Sequence, residues 1–258
     1  MDHERVLEMK PNLTPGSQVS QVGAGVWHLE VPAGPEGHYR LAQLDDYTGI
    51  KREAFPWSPP VSLSLRAKAS HCDLPGTWGF GLWNDPFSLS LGFGGGIRRW
   101  PVLPNAVWFF FASPPNYLSL REDLPAQGNL ATTFRSPLWP SLLVGLGAPA
   151  MPLLLWSPGV RLIRRLGQRV VHQDAVEISI DTMAWHSYML TWQQESVLFQ
   201  VDGDIILETS VSPDGPLGLV IWIDNQYAAL PPSGKMLYGT LANPEPAWVD
   251  IESLCVSA

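Results

Sequence analysis

The 258 residues, 45% apolar and only 16% charged, can bury a large core as one unit, and sandwiches of this length are commonly single domains. A net charge of −8 argues against a nucleic-acid binder, since neutralising phosphates needs a basic face. Met1-Asp2-His3-Glu4-Arg5-Val6 lacks the apolar core of a secretion signal, so the expected location is cytoplasmic. Cys72 and Cys255 fit either one disulfide or two free core thiols.

Strand patterns dominate. Val61-Ser62-Leu63-Ser64-Leu65-Arg66-Ala67-Lys68-Ala69 alternates apolar and polar, as a half-buried strand does. Gly76-Thr77-Trp78-Gly79-Phe80-Gly81-Leu82-Trp83 follows, then Asn84-Asp85-Pro86, where Asp85 suits either a ligand-contacting carboxylate or ordinary turn chemistry. The run Gly92-Phe93-Gly94-Gly95-Gly96-Ile97-Arg98-Arg99 has no helix after it, so a flexible turn fits better than a phosphate loop. Next comes Trp100-Pro101-Val102-Leu103-Pro104-Asn105-Ala106-Val107-Trp108-Phe109-Phe110. No Asp or Glu occurs from Pro86 to Arg121.

Residues 137–171 read as an apolar and helical insertion within the single domain 1–258. Its prolines break any continuous span of the roughly 20 residues a membrane helix needs. Ser157-Pro158 predicts a helix running to about Val171, with Val160, Ile163, Leu166 and Val170 as its apolar stripe and Arg161, Arg164, Arg165 and Arg169 opposite. The insertion suits a lid packed on the sandwich, with peripheral contact to an anionic membrane through 138–169 as the alternative.

Downstream, Trp185-His186-Ser187-Tyr188-Met189-Leu190-Thr191-Trp192 leads into a hairpin, Ser196-Val197-Leu198-Phe199-Gln200-Val201 turning at Asp202-Gly203. An apolar strand from Leu219 to Ile223 then delivers Asp224, Asn225, Gln226 and Tyr227 in succession, side chains suited to sugar hydroxyls or a polar head group. Trp248-Val249-Asp250-Ile251-Glu252-Ser253-Leu254 closes the chain.

Together these blocks resemble the family 16 glycoside hydrolases, the laminarinase and lichenase relatives among the concanavalin A-like jelly rolls. The Gly76 block resembles that family's GTWPAFWLL, the Trp100 block its WPxxGEIDIME, the Trp185 block its WHxYxLxW…VxFxVDG, and the last strand its VDWVRVY. The resemblance covers most of residues 40–135 and 176–256. It implies an all-β, two-sheet antiparallel jelly-roll sandwich with a short helical insertion. In the family, nucleophile, helper carboxylate and acid share one face of a bulged strand. Laid from Trp100-Pro101, those positions fall on Asn105, Val107 and Phe110, which supply no carboxylate; these three or their immediate neighbours are expected on the same face as Trp83. Retaining hydrolysis needs two carboxyl groups about 5–5.5 Å apart.

The expected function is therefore non-hydrolytic binding of a carbohydrate, glycolipid or apolar small molecule. The groove is expected to be lined by Trp83, Trp108, Phe110 and Trp222 and edged by Asp85, Asn105, Asp224, Asn225 and Tyr227. The alternatives are a diverged glycosidase acting on a β-glucan-like polysaccharide with Asp85 and Asp224, or a cyclase or isomerase holding an apolar substrate. Adjacent carboxylates, Asp45 with Asp46 and Glu122 with Asp123, point to opposite faces of a strand and read as solvated or turn residues. His71-Cys72-Asp73 are neighbours that do not converge into a thiol site. No cofactor is expected. The resemblance leaves room for a structural calcium ion on Asp250.

Overall fold

The computed structural model describes residues 8–23, 25–86, 99–139 and 156–258. Two seven-stranded antiparallel sheets form a sandwich. The first runs in the spatial order β1 (Lys10–Leu13), β4 (Leu41–Asp45), β13 (Gly218–Asp224), β6 (Thr77–Trp83), β7 (Ala106–Ala112), β8 (Gly128–Arg135) and β9 (His172–Glu177). The second runs β12 (Asp204–Thr209), β11 (Val197–Val201), β10 (His186–Trp192), β5 (Val61–Ala69), β16 (Ala247–Ser257), β3 (Val26–Val31) and β2 (Gln18–Gly23). A two-stranded ladder, β14 (Gln226–Ala229) with β15 (Leu237–Thr240), stands apart. This is the jelly-roll sandwich that the family resemblance implies.

The core follows from strict alternation. In β5, Val61, Leu63, Leu65, Ala67 and Ala69 are buried, while Ser62, Ser64, Arg66 and Lys68 take the other face. Opposite them, Trp78, Phe80 and Leu82 of β6 and Val107, Phe109 and Phe111 of β7 fill the space between the sheets. Tyr188 meets Phe80 and Phe109 edge-on, with ring centroids 5.0 and 4.9 Å apart. The Asp202-Gly203 turn has φ values of 52° and 89°, the left-handed pair that a two-residue hairpin requires. The closing strand extends past the expected Leu254 to Ser257 by a register shift between Glu252 and Cys255, where Ser253 adopts φ 55°. Cys72 and Cys255 are free and exposed, neither bonded to each other nor core thiols, so both sequence readings are corrected. They sit at the surface because Cys255 falls in the outward register of β16 and Cys72 follows the end of β5.

Of the insertion, residues 137–139 and 156–171 are described. The apolar runs between them, and most of the glycine-rich run before Arg99, lie outside the described residues. The helix α1 (Ser157–Val170) forms where Pro158 predicts it. Its buried stripe differs from expectation. Val160 is buried, Ile163 and Val170 are half-buried, but Leu166 is exposed and Arg164 is buried at 3%. The guanidinium of Arg164 donates to the carbonyls of Ser119, Leu120 and Leu230 and lies over the Tyr117 ring. Three loop carbonyls that need donors outweigh one leucine, since hydrogen bonds from a charged group are worth about 1.5–3 kcal/mol each.

Candidate functional site

The face of the first sheet turned away from the core is built on two glycines. In β6 the alternation sends Trp78, Phe80 and Leu82 inward and leaves Gly79, Gly81 and Trp83 outward. The ring of Trp222 lies over Gly79, where an added Cβ would meet Trp222 Cη2 at 2.8 Å and Phe109 O at 2.4 Å. Trp108 covers Gly81 in the same way, its Cβ 2.5 Å from the position of an added Cβ. Trp83 and Trp222 are stacked at 9° with centroids 6.5 Å apart, and Trp108 lies 5.5 Å from each. Phe110 joins at 5.8 Å from both Trp108 and Trp222. Trp83, Trp108, Phe110 and Trp222 thus form one aromatic floor, with Trp83 and Trp108 half-exposed.

The other expected positions divide. β7 pairs with β6 without interruption from Ala106↔Trp83 to Ala112↔Thr77, so no bulge resets its register. Val107 consequently lies in the inter-sheet core, while Phe110 faces outward. Phe110 thus shares the face of Trp83 as expected, while Asn105 and Val107 do not and their immediate neighbours Ala106 and Trp108 stand there instead. Asn105 is fully buried; its amide donates to Ser136 O and accepts from Ser136 N and Asp214 N. It ties the β7 entry to two loops rather than edging the aromatic floor. An open cavity of about 430 Å³ near these loops is lined by Arg135, Ser136, His172 and Asp214, away from the floor.

At the Thr77 end, Asp224 is buried on the same face, beyond Trp222. Its carboxylate accepts from Thr77 N at 3.3 Å, Thr77 Oγ1 at 2.8 Å, Gln226 N at 3.3 Å and Tyr39 OH at 3.3 Å. Thr77 Oγ1 also accepts from Trp222 Nε1 at 2.9 Å, linking the acid to the floor. Burial pushes Asp224 up to about 7 against these hydrogen bonds, and burial, with the Asp224 carboxylate adding to it, holds the Tyr39 hydroxyl well above its usual range. Asn225 is consumed by structure: it accepts from Arg40 N and donates to His38 O and Leu241 O. Tyr227 is half-buried in β14, with its ring against Gly239.

At the Trp83 end, Asp85 adopts φ 47° and pairs with Arg99, both side chains under a tenth exposed. Arg99 also donates to Tyr47 O and Ile50 O and lies over the Tyr47 and Phe55 rings. Arg52 donates to Asn84 O, Asp85 O and Trp100 O. Burial raises Asp85 to about 6 even with Arg99 opposing it. The clamp places Tyr47, whose hydroxyl accepts from Trp83 Nε1 at 2.8 Å. Tyr47, Arg52, Arg99, Thr77 and Tyr39 were not singled out in the sequence. The Asp-Asp-Tyr-Thr-Gly turn was the available signal for Tyr47, and the arginines carried none.

Asp45 and Asp46 are turn residues but are not solvated. Asp45 is fully buried and accepts from Thr48 N, Thr48 Oγ1, Tyr47 N and Gln43 Nε2. Asp46 accepts from Trp57 Nε1 and Leu219 N, and burial raises it to about 6. Asp123 is exposed and paired with Arg121. His71 contacts Ser70 and Glu245, and Cys72 stands apart from it beside Asp73.

Asp250 lies on the outer face of the second sheet, 2.6 Å from His28 Nδ1 and 3.6 Å from Lys68 Nζ. Calcium needs six to eight oxygen ligands. An ammonium at this carboxylate, with no group of three metal-ligating side chains among the described residues, does not fit that ion.

Several solved structures share this architecture. One is a glycoside hydrolase family protein from Mycobacterium thermorestibile, 15% identical over 93% of this chain and 79% of that one, with a TM-score of 0.50. Another is the β-glucanase of Bacillus licheniformis, 12% identical over 93% and 82%, TM-score 0.50. A third is LamA from Zobellia galactanivorans in complex with laminaritriose and laminaritetraose, 11% identical over 97% and 92%, TM-score 0.50. The fold is a glucanase-type jelly roll. No protein family and no curated protein matches the chain. At these identities the likeness carries the fold, and function has to be argued from the site.

The buried acid of this jelly roll gives a pH signature. A carboxyl group whose folded pKa lies above its ordinary value binds its proton more tightly in the folded state. Its stabilisation is present below about 4 and is lost as pH rises through about 7 for Asp224. Asp85 and Asp46 act in the same direction up to about 6. Asp224→Asn should flatten the decline between about pH 4 and 7, whose slope reaches about 1.4 kcal/mol per pH unit in the middle of that window and falls off as pH approaches 7. Urea unfolding at stepped pH measures this, and parallel curves for wild type and variant would contradict it.

Proposed function

We propose that this protein binds a carbohydrate chain of the β-glucan type along its aromatic floor without hydrolysing it. The observation that carries the reading is the floor itself: four outward aromatics, two of them against glycines, on a sheet whose β7 holds no carboxylate. Indole faces suit the apolar C–H faces of pyranose rings, and polar groups at the rim fix orientation. The laminarin oligosaccharides in the LamA complex supply the ligand class to test first.

Asp85 and Asp224 do not form a hydrolytic pair. Asp224 is registered with Thr77, whereas Asp85 lies two residues beyond Trp83 at the far end of β6. Six strand steps separate those ends by roughly 20 Å, beyond the outer limit of about 9.5 Å for either hydrolytic geometry. Asp45 and Asp85 favour a second reading, a diverged hydrolase, because Asp85 stays protonatable near pH 6 and feels the Asp45 charge. Against it, Asp45 is buried with four hydrogen bonds and Asp85 is held by Arg99. Neither is free to attack.

Tryptophan fluorescence titration with laminari-oligosaccharides, lichenan fragments and an apolar dye separates the candidate ligands. Saturable quenching by a glucan, weakened at least 10-fold in Trp108→Ala (about 1.4 kcal/mol), supports the reading. Response to the dye alone would replace the sugar by an apolar small molecule.

A further inference from the structure

We propose that the outward face of α1 is a docking surface for an anionic lipid bilayer. Arg164 fixes the helix by its buried side, which turns Arg161, Leu162, Arg165, Leu166 and Arg169 outward. Leu162 is 48% and Leu166 51% exposed, one helical turn apart, and Trp156 at the start of the helix is 61% exposed. The three outward arginines form a row at four-residue spacing, and none makes an ion pair among the described residues. The helix contains no Asp or Glu, in a chain whose net charge is −8.

Charge complementarity selects the occupant. A soluble apolar partner would satisfy the leucines and leave three arginines unpaired. An anionic headgroup layer meets the arginines while Trp156, Leu162 and Leu166 enter the acyl boundary beneath it. The 14 residues of α1 span about 21 Å at 1.5 Å each, short of the roughly 30 Å hydrocarbon core. No described helix is long and apolar enough to cross a membrane. The helix lies on the surface. This surface is separate from the aromatic floor and stands or falls apart from the carbohydrate reading.

Sedimentation of the full chain with phosphatidylcholine vesicles, with and without phosphatidylserine, tests the proposal. Wild type should pellet with the serine-containing vesicles at low salt, stay in solution with phosphatidylcholine alone, and be released by high salt. Arg161→Gln/Arg165→Gln/Arg169→Gln should weaken partitioning on the order of 100-fold, from about 5-fold per arginine. Leu162→Ser/Leu166→Ser should weaken it while leaving the salt dependence in place. Wild type that remains in solution with anionic vesicles overturns the proposal whether or not the variants fold. Equal binding to both vesicle types also overturns it. So does self-association of wild type that Leu162→Ser/Leu166→Ser abolishes without vesicle binding, which would assign the face to a second copy.

Discussion

Arg99→Ala should destabilise the protein by about 3–5 kcal/mol at pH 8, the usual cost of removing one partner from a buried ion pair. The substitution leaves the Asp85 carboxylate buried, because the loop that carries it is still held by Arg52 through Asn84 O and Asp85 O. The sign with pH follows. Arg99 is the main influence lowering Asp85, so its loss moves a group already near 6 further up. At pH 5 the variant buries a neutral carboxylic acid and the penalty shrinks; at pH 8 it buries an unpaired charge and the penalty is full. Tyr47 loses the cation over its ring, and the Tyr47–Trp83 hydrogen bond that orients one end of the floor should loosen with it. Urea unfolding of wild type and variant at the two pH values measures the difference. A penalty that is the same at both, or larger at pH 5, would show that Asp85 does not carry the cost.

Gly79→Ala should cost about 3 kcal/mol, at the upper end of ordinary overpacking. The added methyl group would stand 2.4 Å from Phe109 O, a backbone atom of the central strand pair, and 2.8 Å from Trp222 Cη2. The backbone cannot retreat without breaking the β6–β7 ladder, so Trp222 must move, and the floor loses its stacked pair. Binding should fall with stability. Gly167→Ala supplies the contrast. Its added Cβ meets only Leu120 side-chain carbons at 3.5 and 3.7 Å, and the residue sits inside α1. That substitution should be neutral or stabilising by up to about 1 kcal/mol, the helix preference for alanine over glycine. Thermal melts of the two variants should therefore shift in opposite directions. A stable Gly79→Ala protein with unchanged tryptophan fluorescence would mean the floor is not packed as described.

Much of this arrangement was legible in the sequence. The alternation in residues 61–69 marks β5 to the residue, and the Asp202-Gly203 pair fixes its hairpin. The family resemblance placed Trp83, Trp108, Phe110 and Trp222 on one groove, and they meet there; that Gly79 and Gly81 make room for two of them is seen only in the fold. The register of β7 was not legible, because a bulge leaves no mark in Asn105-Ala106-Val107-Trp108. Only the ladder to β6 shows that the strand is unbulged and Val107 faces inward. The buried face of α1 was misread for a similar reason. Periodicity favours Leu166, but the carbonyls that draw Arg164 inward come from residues 119, 120 and 230, far away in sequence. Asp45 and Asp46 look like solvated turn residues from their neighbours. Asp46 is drawn in by Trp57 and Leu219, distant in sequence, while Asp45 is buried with its bonds to Gln43, Tyr47 and Thr48.

The central claim is that the aromatic floor holds a glucan chain and leaves its bonds intact. Saturation-transfer NMR on a β-glucan oligosaccharide mixed with the protein reads both halves at once. The account predicts saturation transfer to the sugar ring protons, reduced in Trp108→Ala, with no growth of new reducing-end anomeric signals over prolonged incubation. New anomeric signals that disappear in Asp85→Asn would contradict it and make the protein a hydrolase. Absence of transfer to every glucan tried would remove carbohydrate as the ligand of the floor.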